Sequence, residues 1–167
     1  FFLFHDQLND AFECIASRKP SEIGIVLIES RWWARRRPYH KMKLGSVWAN
    51  QRQFALEQAA RGVLIDYLPT RKPFRHALKK VAESKGELRI IEPAERDIRI
   101  DIKPLIDDGI LTQHPHDGWL TERSLLEDSQ WKDGSYKMDS FYRLVRKEYD
   151  VLMEGDDFAG GKLSFDH

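Results

Sequence analysis

Ile23-Gly24-Ile25-Val26-Leu27-Ile28 is the stretch that decides the fold. Apart from Gly24 it is entirely aliphatic and mostly β-branched, with no polar residue alternating through it. A strand with one face in water alternates apolar with polar residues, whereas a strand buried on both faces, as in a parallel sheet, does not. Four more runs are of the same kind: Phe1-Phe2-Leu3-Phe4, Val63-Leu64-Ile65-Asp66-Tyr67-Leu68, Leu88-Arg89-Ile90-Ile91, and the weaker Ile110-Leu111-Thr112. The segments between them have helical spacing. Leu44, Val47, Trp48, Phe54, Ala55 and Ala59 share one face, with Gly62 as the stop. Phe74, Ala77, Leu78 and Val81 share another, ending near Gly86. Buried strands alternating with helices imply right-handed crossovers. The expected fold is a Rossmann-like, doubly wound α/β domain with a mainly parallel five-stranded sheet flanked by helices.

Composition narrows the function. A length of 167 residues suits about one ordinary core. Lysine plus arginine equals aspartate plus glutamate at 27 each, so affinity for nucleic acid has to come from a local patch. A single cysteine, Cys14, excludes an internal disulfide and any multi-cysteine metal site in this chain, and suits a reducing, cytoplasmic setting. No apolar run approaches the length of a membrane span, so no membrane partner is expected.

In open α/β sheets ligands sit beyond the carboxyl ends of the strands. Those ends read His5-Asp6-Gln7, Glu29-Ser30 and Glu92-Pro93-Ala94-Glu95, a polar and acidic rim. No G-x-G-x-x-G follows a strand and no Walker loop is present. Gly160-Gly161-Lys162 is not a phosphate loop, because no strand leads into it and Leu163 follows the lysine. A neutral heterocycle held by carboxylates and amides suits this rim better than a dinucleotide. The six histidines are scattered, and no serine has a nucleophile-elbow context. His114-Pro115-His116-Asp117 has no evident third ligand, so no metal site is assigned.

Near the end of the chain Phe141, Leu144, Val145, Tyr149 and Leu152 fall on one helical face. An aperiodic segment follows, Gly160-Gly161-Lys162-Leu163-Ser164-Phe165-Asp166-His167, suited to packing on something further along. The reading is a domain over 1–155 and a linker over 156–167, in a piece of a longer protein.

Four stretches in register carry a family resemblance. The first strand with His5-Asp6-Gln7-Leu8 resembles the strand plus Gly-Asp-Gln-Leu that opens the bacterial photolyase-related proteins, the iron–sulfur cryptochromes and (6-4) photolyases. Glu92-Pro93-x-Glu95 is similar to that family's Glu-Pro-Gly-Glu. His40-Lys41-x-Lys43 matches ahead of the long helix. Met138-x-x-Phe141-Tyr142-Arg143-x-x-Arg146-Lys147, Leu152-Met153 and Gly160-Gly161-Lys162-x-Ser164-Phe165-Asp166 look like the signature leading into the family's helical domain.

The resemblance implies an N-terminal antenna domain holding a lumazine, 6,7-dimethyl-8-ribityllumazine. It also implies a C-terminal helical domain with FAD, a four-cysteine iron–sulfur cluster and the pocket for damaged DNA. The parent would carry out light-driven DNA repair as a photolyase-type lyase, or sense blue light; this domain alone would not be catalytic. The candidate chromophore contacts are Asp6, Gln7, Leu8, Glu29, Trp33, Glu92 and Glu95. Two departures are visible: His5 replaces the family's glycine, and Arg31-Trp32-Trp33 stands where lumazine-binding relatives carry a glutamate.

The alternative is a chromophore-free docking or nucleic-acid-binding module, in which the rim residues cap helices and fix loops. The basic and aromatic segment bears on it. Arg31, Arg35, Arg36, Arg37, His40, Lys41 and Lys43 can dock the helical domain or take phosphates, with tryptophans packing on the core or stacking on bases.

Overall fold

The structure, a computed structural model, describes residues 1–163. They form two compact units, Phe1–Gly118 and the part of Trp119–His167 that is described. Ser164, Phe165, Asp166 and His167, which the sequence reading assigns to the linker, lie outside the described residues.

The first unit is built on five strands: β1 (Phe2–Leu3), β2 (Gly24–Ser30), β3 (Leu64–Thr70), β4 (Leu88–Ile91) and β5 (Leu111–His114). They lie in the order β3-β2-β1-β4-β5 and every pairing is parallel. The switch in strand order therefore falls between β1 and β4. The continuous apolar runs did mark the strands, and the sheet is wholly rather than mainly parallel.

Two faces are buried because successive side chains point to opposite sides. Phe2, Phe4, Val26, Ile28 and Ile90 pack with α4 (Phe74–Lys85) and α5 (Arg96–Asp107) through Leu78, Val81, Ile98, Ile102 and Leu105. Leu3, Ile25, Leu27 and Ile91 pack on the other side with α1 (Glu13–Ala16) and α3 (Lys41–Ala60) through Ile15, Phe54 and Ala55. A short helix, α2 (Arg31–Ala34), leads from β2 toward α3. Gly62 and Gly86, both at positive φ of 93° and 87°, stop α3 and α4 where an L side chain would be strained.

Two expectations need correction. The third run is not buried on both faces: β3 is an edge strand, so Leu64 is exposed and Tyr67 and Leu68 are half-buried. The edge also tolerates Pro69, which has no N–H to give a neighbour. On α3, Ala59 is exposed and the core face is Gln51, Phe54, Ala55 and Gln58.

The second unit contains α6 (Arg123–Asp128), α7 (Met138–Glu148) and an antiparallel hairpin of β6 (Met153–Glu154) and β7 (Asp157–Phe158). Here the sequence reading extends a helical face too far. The helix ends at Glu148, and Tyr149 and Leu152 lie beyond it, both exposed. The end is organised by Arg146, which is 3% exposed. Its guanidinium donates to the carbonyls of Val151, Leu152 and Leu163 and lies 4.7 Å from the Phe158 ring centre. No helix among the described residues is long and apolar enough to cross a membrane.

Candidate functional site

Helix α3 is longer than the sheet it covers. Its 20 residues extend about 30 Å, while the seven residues of β2 extend about 23 Å. The surplus lies at the N-terminal end of α3, beyond the carboxyl ends of the strands. A cleft of about 620 Å³, mouth included, opens under this overhang. Leu44, Val47 and Trp48 line it, which is why these apolar residues are half-buried rather than core.

The opposite wall comes from the strand ends and α2. Ser30 Oγ caps α2 by accepting from the Trp33 N–H at 3.2 Å, and donates to the Lys72 carbonyl at 2.8 Å. That cap directs Trp33 inward, where it is 8% exposed. One side of its ring meets Phe74 at 5.4 Å, and the Arg36 guanidinium lies 4.6 Å from its centre. Its indole N–H points to Glu95 Oε2 at 3.5 Å, the outer limit for a hydrogen bond. His5 Nε2 lies 3.6 Å from the other oxygen of Glu95. Tyr39, Lys43 and Gln51 complete the polar lining. Gln51 is 2% exposed, yet among the described residues its amide makes only one long bond, 3.4 Å to the Ile28 carbonyl.

The other rim candidates lie elsewhere. Gln7 is fully buried and committed to backbone. Its Oε1 accepts from the Phe4 N–H at 3.2 Å, and its amide donates to the Ile91 and Glu92 carbonyls at 3.2 and 2.9 Å. It thus clasps the ends of β1 and β4. Glu29, 1% exposed, accepts from Arg52 Nε and Nη2 at 3.1 and 2.7 Å and from the Tyr67 hydroxyl at 2.8 Å. Burial first, and the bond to Glu29 second, push the Tyr67 hydroxyl pKa up to about 12. The bond to Glu29 likewise raises that of Arg52. Asp6 is exposed and Leu8 packs half-buried against the α1/α3 core. Glu92 is half-buried in a loop held by Arg99, which donates to the carbonyls of Pro93 and Ala94 at 2.8 and 2.6 Å. Of the seven chromophore candidates, only Trp33 and Glu95 line the cleft.

The basic segment divides. His40 caps α3, its Nδ1 accepting from the Met42 N–H at 3.3 Å. Lys41 is exposed, and Lys43 enters the cleft. Arg36 and Arg37 face Asp97 at 3.5 and 2.9 Å. Arg31, Arg35 and Arg36 line a second, shallower groove with Trp32 and Arg71.

Sequence reasoning missed Tyr39, Trp48 and Gln51 as cleft residues. The signal available was that the apolar stripe of α3 begins too early for a strand of seven residues to cover. No group of three or more His, Cys, Asp or Glu among the described residues is placed to hold a metal ion.

A family model described as deoxyribodipyrimidine photo-lyase-related protein matches residues 1–167. A comparison with curated proteins finds no match.

Proposed function

Because the chain belongs to the deoxyribodipyrimidine photo-lyase-related protein family, we propose that its first unit is an antenna domain holding a planar light-absorbing heterocycle. The observation that carries this reading is the aromatic-walled cleft at the carboxyl rim. A mainly apolar lining with a few polar groups is what small-molecule sites offer.

The residues fit the lumazine that the resemblance implies. Trp48 and Tyr39 offer ring faces for stacking. Gln51, His5, Lys43 and Glu95 offer donors and acceptors for ring carbonyls, ring nitrogens or ribityl hydroxyls. Leu44 and Val47 keep water from the ring. The bound group would supply absorption of violet or blue light; the chain supplies position and a dry wall. FAD and an iron–sulfur cluster belong, on this reading, to a C-terminal helical domain, since one cysteine cannot ligate a four-cysteine cluster. That domain and damaged DNA are the partners of the parent, which acts in light-driven repair or blue-light sensing in the cytoplasm.

A second reading, a chromophore-free docking module, has one observation in its favour. Gln7 and Glu29, two of the polar rim groups, are already occupied by the protein's own donors and acceptors. The absorption spectrum of the chain purified from a lumazine-producing host separates the two. A bound chromophore band at near-unit stoichiometry supports the antenna; colourless protein that also resists reconstitution supports the docking module.

A further inference from the structure

The arginines after β2 fall into two sets. Arg36 and Arg37 share Asp97. Arg31, Arg35 and Arg71 are exposed and form no ion pair among the described residues. These three meet Arg36 and Trp32 around an open groove of about 510 Å³. The whole sequence carries no net charge, so three unneutralised guanidinium groups at one place are a local positive field.

The groove is held in shape. Ser30 Oγ bonds the Trp33 N–H of α2 on one side and the Lys72 carbonyl, next to Arg71, on the other. One hydroxyl therefore fixes both walls. The Arg36 guanidinium lies 5.5 Å from the Trp32 ring centre, steadying an indole that remains 40% exposed. A steadied, exposed indole beside unpaired arginines combines a stacking face with a phosphate clamp.

We propose that this groove binds single-stranded nucleic acid, with backbone phosphates on Arg31, Arg35 and Arg71 and a base stacked on Trp32. Guanidinium groups match phosphate oxygens with paired donors. The exposed indole selects for an unpaired base, since an acidic peptide has no use for it and a duplex hides its base faces. None of the groove residues lines the aromatic cleft, so this inference stands apart from the chromophore reading.

The test is fluorescence anisotropy of a labelled oligothymidylate titrated with the full chain across a range of salt. Three phosphate contacts to a single strand predict a log–log salt slope near −2. The triple variant Arg31→Ala/Arg35→Ala/Arg71→Ala should weaken binding at least tenfold and flatten the slope. Trp32→Ala should weaken it about tenfold and leave the slope alone. Circular dichroism and thermal midpoints should match wild type, since all four side chains are exposed. The proposal is overturned by absence of saturable binding at low salt, or by affinity untouched in the triple variant. Tighter binding of a duplex of equal length overturns it as well. Displacement by polyglutamate together with an inert Trp32→Ala would assign the groove to an acidic protein surface instead.

Discussion

Gln7 shows how a motif can single out a residue and still leave its partners hidden. Its place in a rim motif suggests a ligand contact, but its three polar bonds all go to backbone groups 3, 84 and 85 residues away. Nothing local in the sequence reports partners that distant. Replacement by the similarly shaped leucine leaves the Phe4 N–H and two carbonyls without partners, at a cost of about 2 kcal/mol. A urea midpoint in Gln7→Leu lowered by less than a quarter of that equivalent would contradict the clasp.

Tyr67 yields a pH dependence. A tyrosine ordinarily titrates near pH 10, and this one is held up to about 12. The folded chain keeps a proton that the unfolded chain releases. The contribution is therefore complete below pH 10 and is lost as pH rises toward 12. The ring is only half-buried, so solvent screening limits the effect to about 1 kcal/mol. Between pH 9 and 11.5 the wild type should lose stability more steeply than Tyr67→Phe; parallel declines in urea midpoint would refute the assignment.

At the scale of elements, the three inner strands, β2, β1 and β4, were legible because burial on both faces writes itself as unbroken apolar runs. Edges were less legible. The run over 63–68 reads like the central run at 23–28, although only one side of β3 has a neighbour. Helix ends were legible at Gly62 and Gly86, where a positive φ demands glycine, and illegible after Glu148. There the turn uses Asp150 and Leu152 at positive φ of 52° and 54°, conformations their residue types do not announce. Leu152 holds this strained geometry because Arg146 and the Ala159 N–H take its carbonyl. Its side chain is 63% exposed and contributes little packing. Leu152→Gly keeps both backbone bonds and relieves the strain. It should raise the stability of the second unit by about 0.5–1 kcal/mol, after glycine's entropic cost. Hydrogen exchange of the hairpin amides checks this, and faster exchange in the variant would show the strain account to be mistaken.

At the scale of the whole molecule, the cleft arises from a mismatch of lengths. No residue in it forms a recognisable motif with another. Tyr39, Trp48 and Gln51 come from one helix and its lead-in, His5 and Glu95 from two loops, and Trp33 from the short helix α2. Motif reading found the loops because short patterns repeat in a family. It missed the helix because overhang depends on where the strands end. The family assignment covers the whole chain, whereas the chromophore proposal rests on the family resemblance and, within this chain, on this cleft. Trp48 is therefore the informative residue. It is half-buried on the overhang and outside both core clusters, so Trp48→Ala should leave thermal stability within about 1 kcal/mol of wild type.

The most direct measurement is an equilibrium titration of the purified chain with 6,7-dimethyl-8-ribityllumazine, followed by the ligand's own fluorescence, in wild type and Trp48→Ala. The antenna account predicts saturable one-to-one binding, weakened about tenfold or more by the loss of one stacking face. Absence of saturable binding to the wild type, or an affinity indifferent to Trp48→Ala, would contradict it.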